Sequence, residues 1–256
     1  MAKKPPSGAQ AVLRAIALLK AFTLEEPARD VASLAGETGL SRGTVHRLLA
    51  ALESEGLVVR NDRGGLYRLG PTAAALGVRA LRSSTLRETA HPELERLAEQ
   101  TGETATLEVL SEGKMLILDE VLGARLIGAS PSLGTAWALH ATSTGKAILA
   151  AGPTERVAEL LPRALNRFTV KTITDRARFD EALDDARALG YATACEELEE
   201  GYSAVGAVIR TPMLEPYAAL SLGGPATRLN PAVLKEIGDR VKSCADAVSA
   251  RLGYEG

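Results

Sequence analysis

Cysteine is nearly missing from this chain. Cys195 and Cys244 stand alone and far apart in 256 residues, which leaves no disulfide framework and no cysteine-ligated metal site. A reducing compartment, the cytoplasm, is expected. The three histidines, His46, His91 and His140, share no ligand-pair spacing, so zinc chemistry has no basis here. Neither a metal nor an organic cofactor is expected. No run of about 18 apolar residues occurs, which excludes a transmembrane helix. The first ten residues, MAKKPPSGAQ, have no apolar stretch behind their two lysines. Residues 1–9 therefore read as a flexible tail and not as a secretory signal.

The remaining composition is that of an ordinary globular protein, with 46% hydrophobic and 24% charged residues, in a chain long enough for two domains. The net charge of −2 conceals an asymmetry. Residues 1–70 carry ten Lys/Arg against seven Asp/Glu, whereas residues 71–256 carry twenty against twenty-five. A basic N-terminal part on an acidic body suits a module that faces phosphates while the rest stays clear of them.

Within that basic part, the pattern is helix, helix, helix, hairpin. Val12, Leu13, Ile16, Leu19 and Phe22 recur at helical spacing and predict a first helix over Val12–Phe22. Pro27 breaks the chain, and Arg29–Ala35 predicts a second short helix. Gly36 and Gly39 are placed in the turn that follows. Ser41 is a good N-cap for a third helix, in which Val45, Leu48, Leu49 and Leu52 form one apolar stripe. The opposite face carries Arg42, Gly43, His46, Arg47 and Ala50. Two short strands, Leu57–Arg60 and Leu66–Leu69, flank the turn sequence Asn61-Asp62-Arg63-Gly64-Gly65. This is the order of a winged helix-turn-helix over residues 10–70, with a connecting helix over residues 71–85.

Such a third helix points its N-terminal end at the duplex. Arg42 and Arg47 are expected on phosphates or guanine edges, and Ser41 and Thr44 on phosphate oxygens. His46 is a candidate for a base edge. Arg60, Arg63 and Arg68 are the wing contacts.

Residues 86–256 read as an α+β domain. Helices are predicted near Thr85–Thr101, Ser143–Ala151, Thr154–Leu161, Asp175–Leu189 and Pro231–Leu252. Strands are predicted at Thr104–Leu110, Lys114–Val121, Arg125–Ala129, Thr135–Leu139, Tyr191–Glu196, Tyr202–Arg210 and Tyr217–Gly223. No regular βαβ repeat and no solenoid period is present.

Seven segments in order (AVLRAIALLKAF, SRGTVHRLLAALESEGLVVR, GGLYRLG, LHATSTGKAILA, TITDRARFDEALDDARALGYA, EELEEGYSAVGAVI and AALSLGGPATRLNP) together resemble the IclR family of bacterial transcriptional regulators. The resemblance implies a winged helix, a linker helix and a C-terminal effector domain with an antiparallel sheet related to GAF and PAS folds. It also implies a homodimer or dimer of dimers on a palindromic or repeated double-stranded operator, controlled by a small organic acid or aromatic effector. In this sequence the effector loop and helix start would be Ala141, Thr142, Ser143 and Thr144. In glyoxylate-responsive relatives, the pocket side chains resemble an Asp, a Cys and two serines. Aligned here are Ala194, Ala204, Ser221 and Gly223, so Ser221 alone stays polar. A larger, partly apolar ligand is expected, with Trp137, Leu126 or Ala129 beside it.

Other readings are weaker. Gly145-Lys146 is not a phosphate loop, because His140 replaces the first glycine and Ala147 the magnesium-binding hydroxyl. The run Glu196–Glu200 reads as a solvated loop. An enzyme acting on a small acid lacks any nucleophile–base pair, so no catalytic residue is assigned. A winged helix used only for protein contact would lack salt-dependent affinity for duplex DNA.

Overall fold

The computed structural model describes residues 9–61, 65–125, 132–212 and 217–254. The chain divides into two compact units, Met1–Ser83 and Ser84–Gly256.

In the first unit, helices α1 (Gln10–Lys20), α2 (Val31–Thr38) and α3 (Arg42–Ser54) enclose a small core of Leu18, Phe22, Leu34, Val45, Leu49, Leu52, Val58 and Tyr67. The helix stops are local. Asp30 caps α2 by accepting from the Ser33 amide at 2.7 Å, and Gly39 closes it at φ +66°. Ser41 caps α3 through the Thr44 amide.

Strands β2 (Val58–Arg60) and β3 (Tyr67–Leu69) pair antiparallel as the wing, with Arg60 opposite Tyr67. A third strand, β1 (Ala28–Arg29), joins the edge of β3. Sequence periodicity assigned Arg29 to a helix. Instead its side chain, 10% exposed, donates to the Ala21 carbonyl at 2.8 Å and pairs with Glu26, tying the end of α1 to the start of α2. Gly36 lies inside α2 and not in the turn. The expected α1 stripe is also only partly buried. Leu18, with Ala21 and Phe22 just past the helix end, faces the core, whereas Val12, Leu13 and Ile16 are 60%, 44% and 42% exposed. Helix α4 (Pro71–Arg82) follows and buries no residue.

Among the described residues, the second unit is built on a six-stranded antiparallel sheet in the order β6-β5-β4-β9-β8-β7. Its strands are β4 (Thr104–Ser111), β5 (Lys114–Val121), β6 (Ala136–Ala138), β7 (Ala192–Cys195), β8 (Tyr202–Ile209) and β9 (Ala218–Pro225). Helices α5 (Thr85–Thr101) and α9 (Pro231–Arg251) cover one face, where Ala105, Leu107, Val205, Ala207, Leu220 and Leu222 meet Leu94, Leu97, Val241 and Val248. Helices α6 (Ser143–Ala151), α7 (Thr154–Leu160) and α8 (Arg176–Leu189) build a second core around Ile148, Leu149, Phe179 and Leu183, which reaches Val208 and Ala219 of the opposite face. Strand alternation accounts for this two-sided burial. The predicted strand end at Leu139 is a 3-10 turn over Leu139–Ala141. Of the predicted strand Arg125–Ala129, Arg125 lies in a turn and the other four residues fall outside the described residues.

The helix–sheet layers are also joined by charge. Lys146 on α6 is 3% exposed and its Nζ lies 2.6 Å from Glu197 Oε1, itself buried. This explains the Gly-Lys pair that superficially resembles a phosphate loop. It also corrects the solvated-loop reading of Glu196–Glu200 at its start, while Glu199 and Glu200 are exposed as expected: Glu196 pairs with Lys171, and the Thr169 and Thr172 hydroxyls donate to the Glu196 and Glu197 carbonyls at 2.7 Å. Removing one member of a buried pair strands the other charge. Lys146→Met is therefore expected to destabilise the unit by about 3–5 kcal/mol, and Lys146→Met with Glu197→Gln by distinctly less. Urea unfolding followed by the fluorescence of Trp137, the single tryptophan, reads this unit directly. Equal losses in the single and double variants would contradict the pairing.

Candidate nucleic-acid interface and ligand pocket

Helix α3 buries Val45, Leu49 and Leu52 and leaves Arg42, His46 and Arg47 exposed on the other side. Its first turn is ordered by Ser41, whose Oγ lies 2.9 Å from Thr44 Oγ1. The first-turn amides of such a helix have no acceptor within it and attract anions. On the wing, Arg60 and Arg68 are exposed, and the Arg60 guanidinium sits 5.8 Å from the centre of the Tyr67 ring. Arg63 lies outside the described residues. The surface thus combines a helix end, two arginines on the helix and two on the hairpin, a combination suited to a phosphate backbone and a groove.

The second unit holds a cavity of about 470 Å³ on the α6 side of the sheet. Strand register builds its floor. Ala194, Ala204, Gly223 and Thr104 form one cross-strand row, and Gly206, Ser221, Thr106 and Glu120 form the next. Gly206 is small for a reason: a Cβ there would come within 2.9 Å of the Thr144 nitrogen, so glycine lets the start of α6 rest on the floor. Thr142, not Ser143, caps α6, accepting from the Gly145 amide at 3.2 Å. The Ser143 hydroxyl instead lies 3.4 Å from Ser221 Oγ, and Thr144 Oγ1 donates to Glu108 Oε2 at 2.6 Å. Both hydroxyls are engaged within the protein. Only the Ser143 and Thr144 amides, at the first two helix positions, lack an acceptor within the helix.

Trp137, Ser143, Thr144, Ala194, Ala204 and Ser221 all line this cavity, whereas Leu126 and Ala129 lie outside the described residues. Gly223 is present in the floor but covered. A Cβ on it would sit 2.1 Å from the Tyr202 hydroxyl, so the phenol occupies the space that a side chain at 223 would fill. The polar groups missing from the aligned positions are replaced from elsewhere. Thr104, Thr106, Glu108, Glu120, Glu197, Glu199 and Tyr202 also line the space. Their signal was available in β4, where Thr104, Thr106 and Glu108 alternate with Ala105, Leu107 and Val109. A polar face on a strand covered on both sides marks a site and not a core.

Glu108 is the most constrained of these groups. It is buried, and its two oxygens accept from Thr106 at 2.9 Å and Thr144 at 2.6 Å. Burial pushes its carboxyl above the ordinary range, with the two hydroxyls opposing the shift. Burial also pushes the Tyr202 phenol well up, reinforced by the surrounding carboxylates, so it stays protonated. The remaining chemistry-bearing side chains have local roles. His140 Nε2 lies 2.8 Å from the Asn166 carbonyl. The Cys195 thiol is pushed up by burial and by Glu197, against Lys146. Burial likewise raises Cys244, although Arg96 Nη2 lies 3.1 Å from its sulfur.

A raised carboxyl has a definite linkage sign. The folded state holds the Glu108 proton more tightly than the unfolded chain. Stability from this group therefore falls as pH rises from the unfolded-state value through the folded one. Glu108→Gln is expected to remove that decline, matching wild type at low pH and exceeding it above neutrality. Urea midpoints measured across this pH range check the effect, and parallel wild-type and variant curves would contradict it.

Comparison with known proteins agrees with the two units. The IclR helix-turn-helix domain model matches residues 11–62, and that of the bacterial transcriptional regulator IclR C-terminal domain matches residues 78–250. The HTH-type transcriptional regulator Rv1719 of Mycobacterium tuberculosis is 37% identical over 86% of this chain and 84% of that protein. The transcriptional repressor IclR of Escherichia coli is 32% identical over 99% of this chain and 94% of that protein. The crystal structure of an IclR homolog from Microbacterium hydrocarbonoxydans, complexed with 4-hydroxybenzoate, superposes with a TM-score of 0.77 at 27% identity, covering 95% of this chain and 99% of that one. This chain belongs to the IclR family of DNA-binding transcriptional regulators.

Proposed function

We propose that residues 10–70 read the operator, that residues 71–85 link the two parts, and that residues 86–256 gate binding through a small organic effector in the sheet cavity. The observation that carries this reading is the cavity itself. It has the volume of a small-molecule site, an apolar wall of Ile117, Leu122, Trp137 and Leu198, and convergent polar groups on its floor. The relative from Microbacterium hydrocarbonoxydans holds an aromatic acid, which fits the acid-or-aromatic class expected from the sequence. The effector acts by binding one conformation of the domain better than another. A regulator is favoured over an enzyme on a small acid, since His140 is engaged with a backbone carbonyl and neither cysteine is activated. Two cysteines without a disulfide fit the cytoplasm.

The DNA contacts we assign are Ser41, Arg42, Thr44, His46, Arg47, Arg60, Arg63 and Arg68. The operator is palindromic or repeated because the protein is a homodimer or a dimer of dimers. Support for self-association comes from uncovered apolar side chains: the α1 face of Val12, Leu13 and Ile16, and Leu76 and Val78, 52% and 50% exposed, on different sides of α4.

Arg42→Ala and Arg47→Ala are each expected to weaken binding to promoter DNA. A lost base contact costs about 1–3 kcal/mol, and a lost phosphate contact lowers the salt slope by about one. Fluorescence anisotropy at several salt concentrations separates the two, and unchanged affinity in both variants would dismiss the α3 assignment. Ile16→Glu and Leu76→Glu are expected to lower the mass of the assembly in light scattering and to weaken operator binding together. An unchanged mass in both would place the interface elsewhere.

A further inference from the structure

The cavity in the second unit has an unusual charge inventory for a site that would hold an organic acid. Four glutamates line it, Glu108, Glu120, Glu197 and Glu199, and no Lys, Arg or His does so among the described residues. The nearby buried cation, Lys146, is already paired with Glu197. A negatively charged ligand would find the two α6 amides on one side and, on the others, the Glu120 and Glu199 carboxylates, the Glu197 end of that ion pair and the Glu108 carboxyl, whose protonated form burial favours. Glu120 accepts from the Ser132 amide at 2.9 Å and from its hydroxyl at 2.5 Å, which orients its carboxylate at the cavity.

Two lining groups, by contrast, have places for a hydrogen-bonding partner. Glu197 is 7% exposed, and its Oε2 has no hydrogen-bond donor among the described residues. Tyr202 reaches over Gly223 with its hydroxyl, which lines the cavity floor and is held protonated. A buried carboxylate oxygen without a donor is costly. Around these groups stand flat and branched apolar side chains, Trp137, Ile117, Leu122 and Leu198. The space therefore offers acceptors at its floor and rim, and a stacking wall.

We propose that the effector is an uncharged, hydroxylated ring compound, whose hydroxyls donate to the cavity's carboxylates while its ring lies against the apolar wall about Trp137. This rests on the reading of the cavity as the effector site and narrows it, away from carboxylic acids. A phenolic alcohol and a pyranose share the required chemistry, and the two are told apart by the ring that the wall accepts.

Calorimetry on the full chain tests this with probes of similar size that carry no charge, a negative charge or a positive charge. One series is 4-hydroxybenzyl alcohol, 4-hydroxybenzoate and 4-hydroxybenzylamine; the other is glucose, glucuronate and glucosamine. The alcohol of at least one series is expected to bind, with its carboxylate weaker by about tenfold. Glu120→Gln is expected to raise carboxylate affinity by about threefold or more, because it removes a charge at constant size. A carboxylate that equals or outbinds its alcohol overturns the proposal. So does failure of both alcohols, and an amine that outbinds its alcohol overturns the uncharged assignment. Ala204→Trp, which fills the floor, separates this failure from that of the site. Carboxylate binding lost in that variant means the cavity is the site and the charge inference is wrong. Binding of any probe that survives it means the ligand sits elsewhere.

Discussion

Helices cover both faces of the C-terminal sheet, and strand alternation under that double cover shapes everything else in the unit. One face is mostly apolar and packs on α5 and α9, with Asp119 meeting Arg87 and His91 of α5. The other is divided: near Val208 and Ala219 it joins the core under α6 and α8, and farther along it turns polar at Thr104, Thr106, Glu108 and Ser221. A one-residue slip of β4 would exchange Thr106 for Leu107 and close the cavity with core side chains. The cavity is therefore a consequence of register, held open because its floor consists of small and polar residues that α6 meets only at its first turn.

The buried Lys146–Glu197 pair and the Thr144–Glu108 hydrogen bond act on the same region from opposite sides. The first joins the body of α6 to the loop after β7, and the second joins its first turn to β4. Both place an acidic side chain where solvent is scarce; Glu108 has both oxygens engaged, whereas Glu197 Oε2 has no donor among the described residues. Such groups specify geometry at some expense of stability. Their location around one cavity is consistent with selection for a site over selection for a core.

Much of the fold was legible in the chain. The limits of α5 and α6 follow from Ser84 and Gly102, and from Thr142 and Gly152, through capping chemistry that is local in sequence. The apolar stripe of α3 and the basic residues opposite it are likewise local. Strand β1 was not legible: two residues carry no periodicity, and only the edge of β3 makes them a strand. The exposure of Val12, Leu13 and Ile16 was equally hidden, since helical spacing shows that a face is apolar without saying what covers it.

The site shows the same division more sharply. Alignment located Ala194, Ala204, Ser221 and Gly223 as a set, and the structure brings them together across three strands. Their meaning changed in place. Gly223 reads in sequence as a lost side chain, but Tyr202, twenty-one residues earlier, reaches over it and supplies a phenol. Glu108 and Glu120 come from strands that the motif does not include. By itself the sequence determined most of the elements, the basic face of α3 and the family, because these depend on neighbours along the chain. Only the tertiary structure decided that the pocket is polar and acidic, because that depends on which side chains four strands and the start of a helix bring to one face.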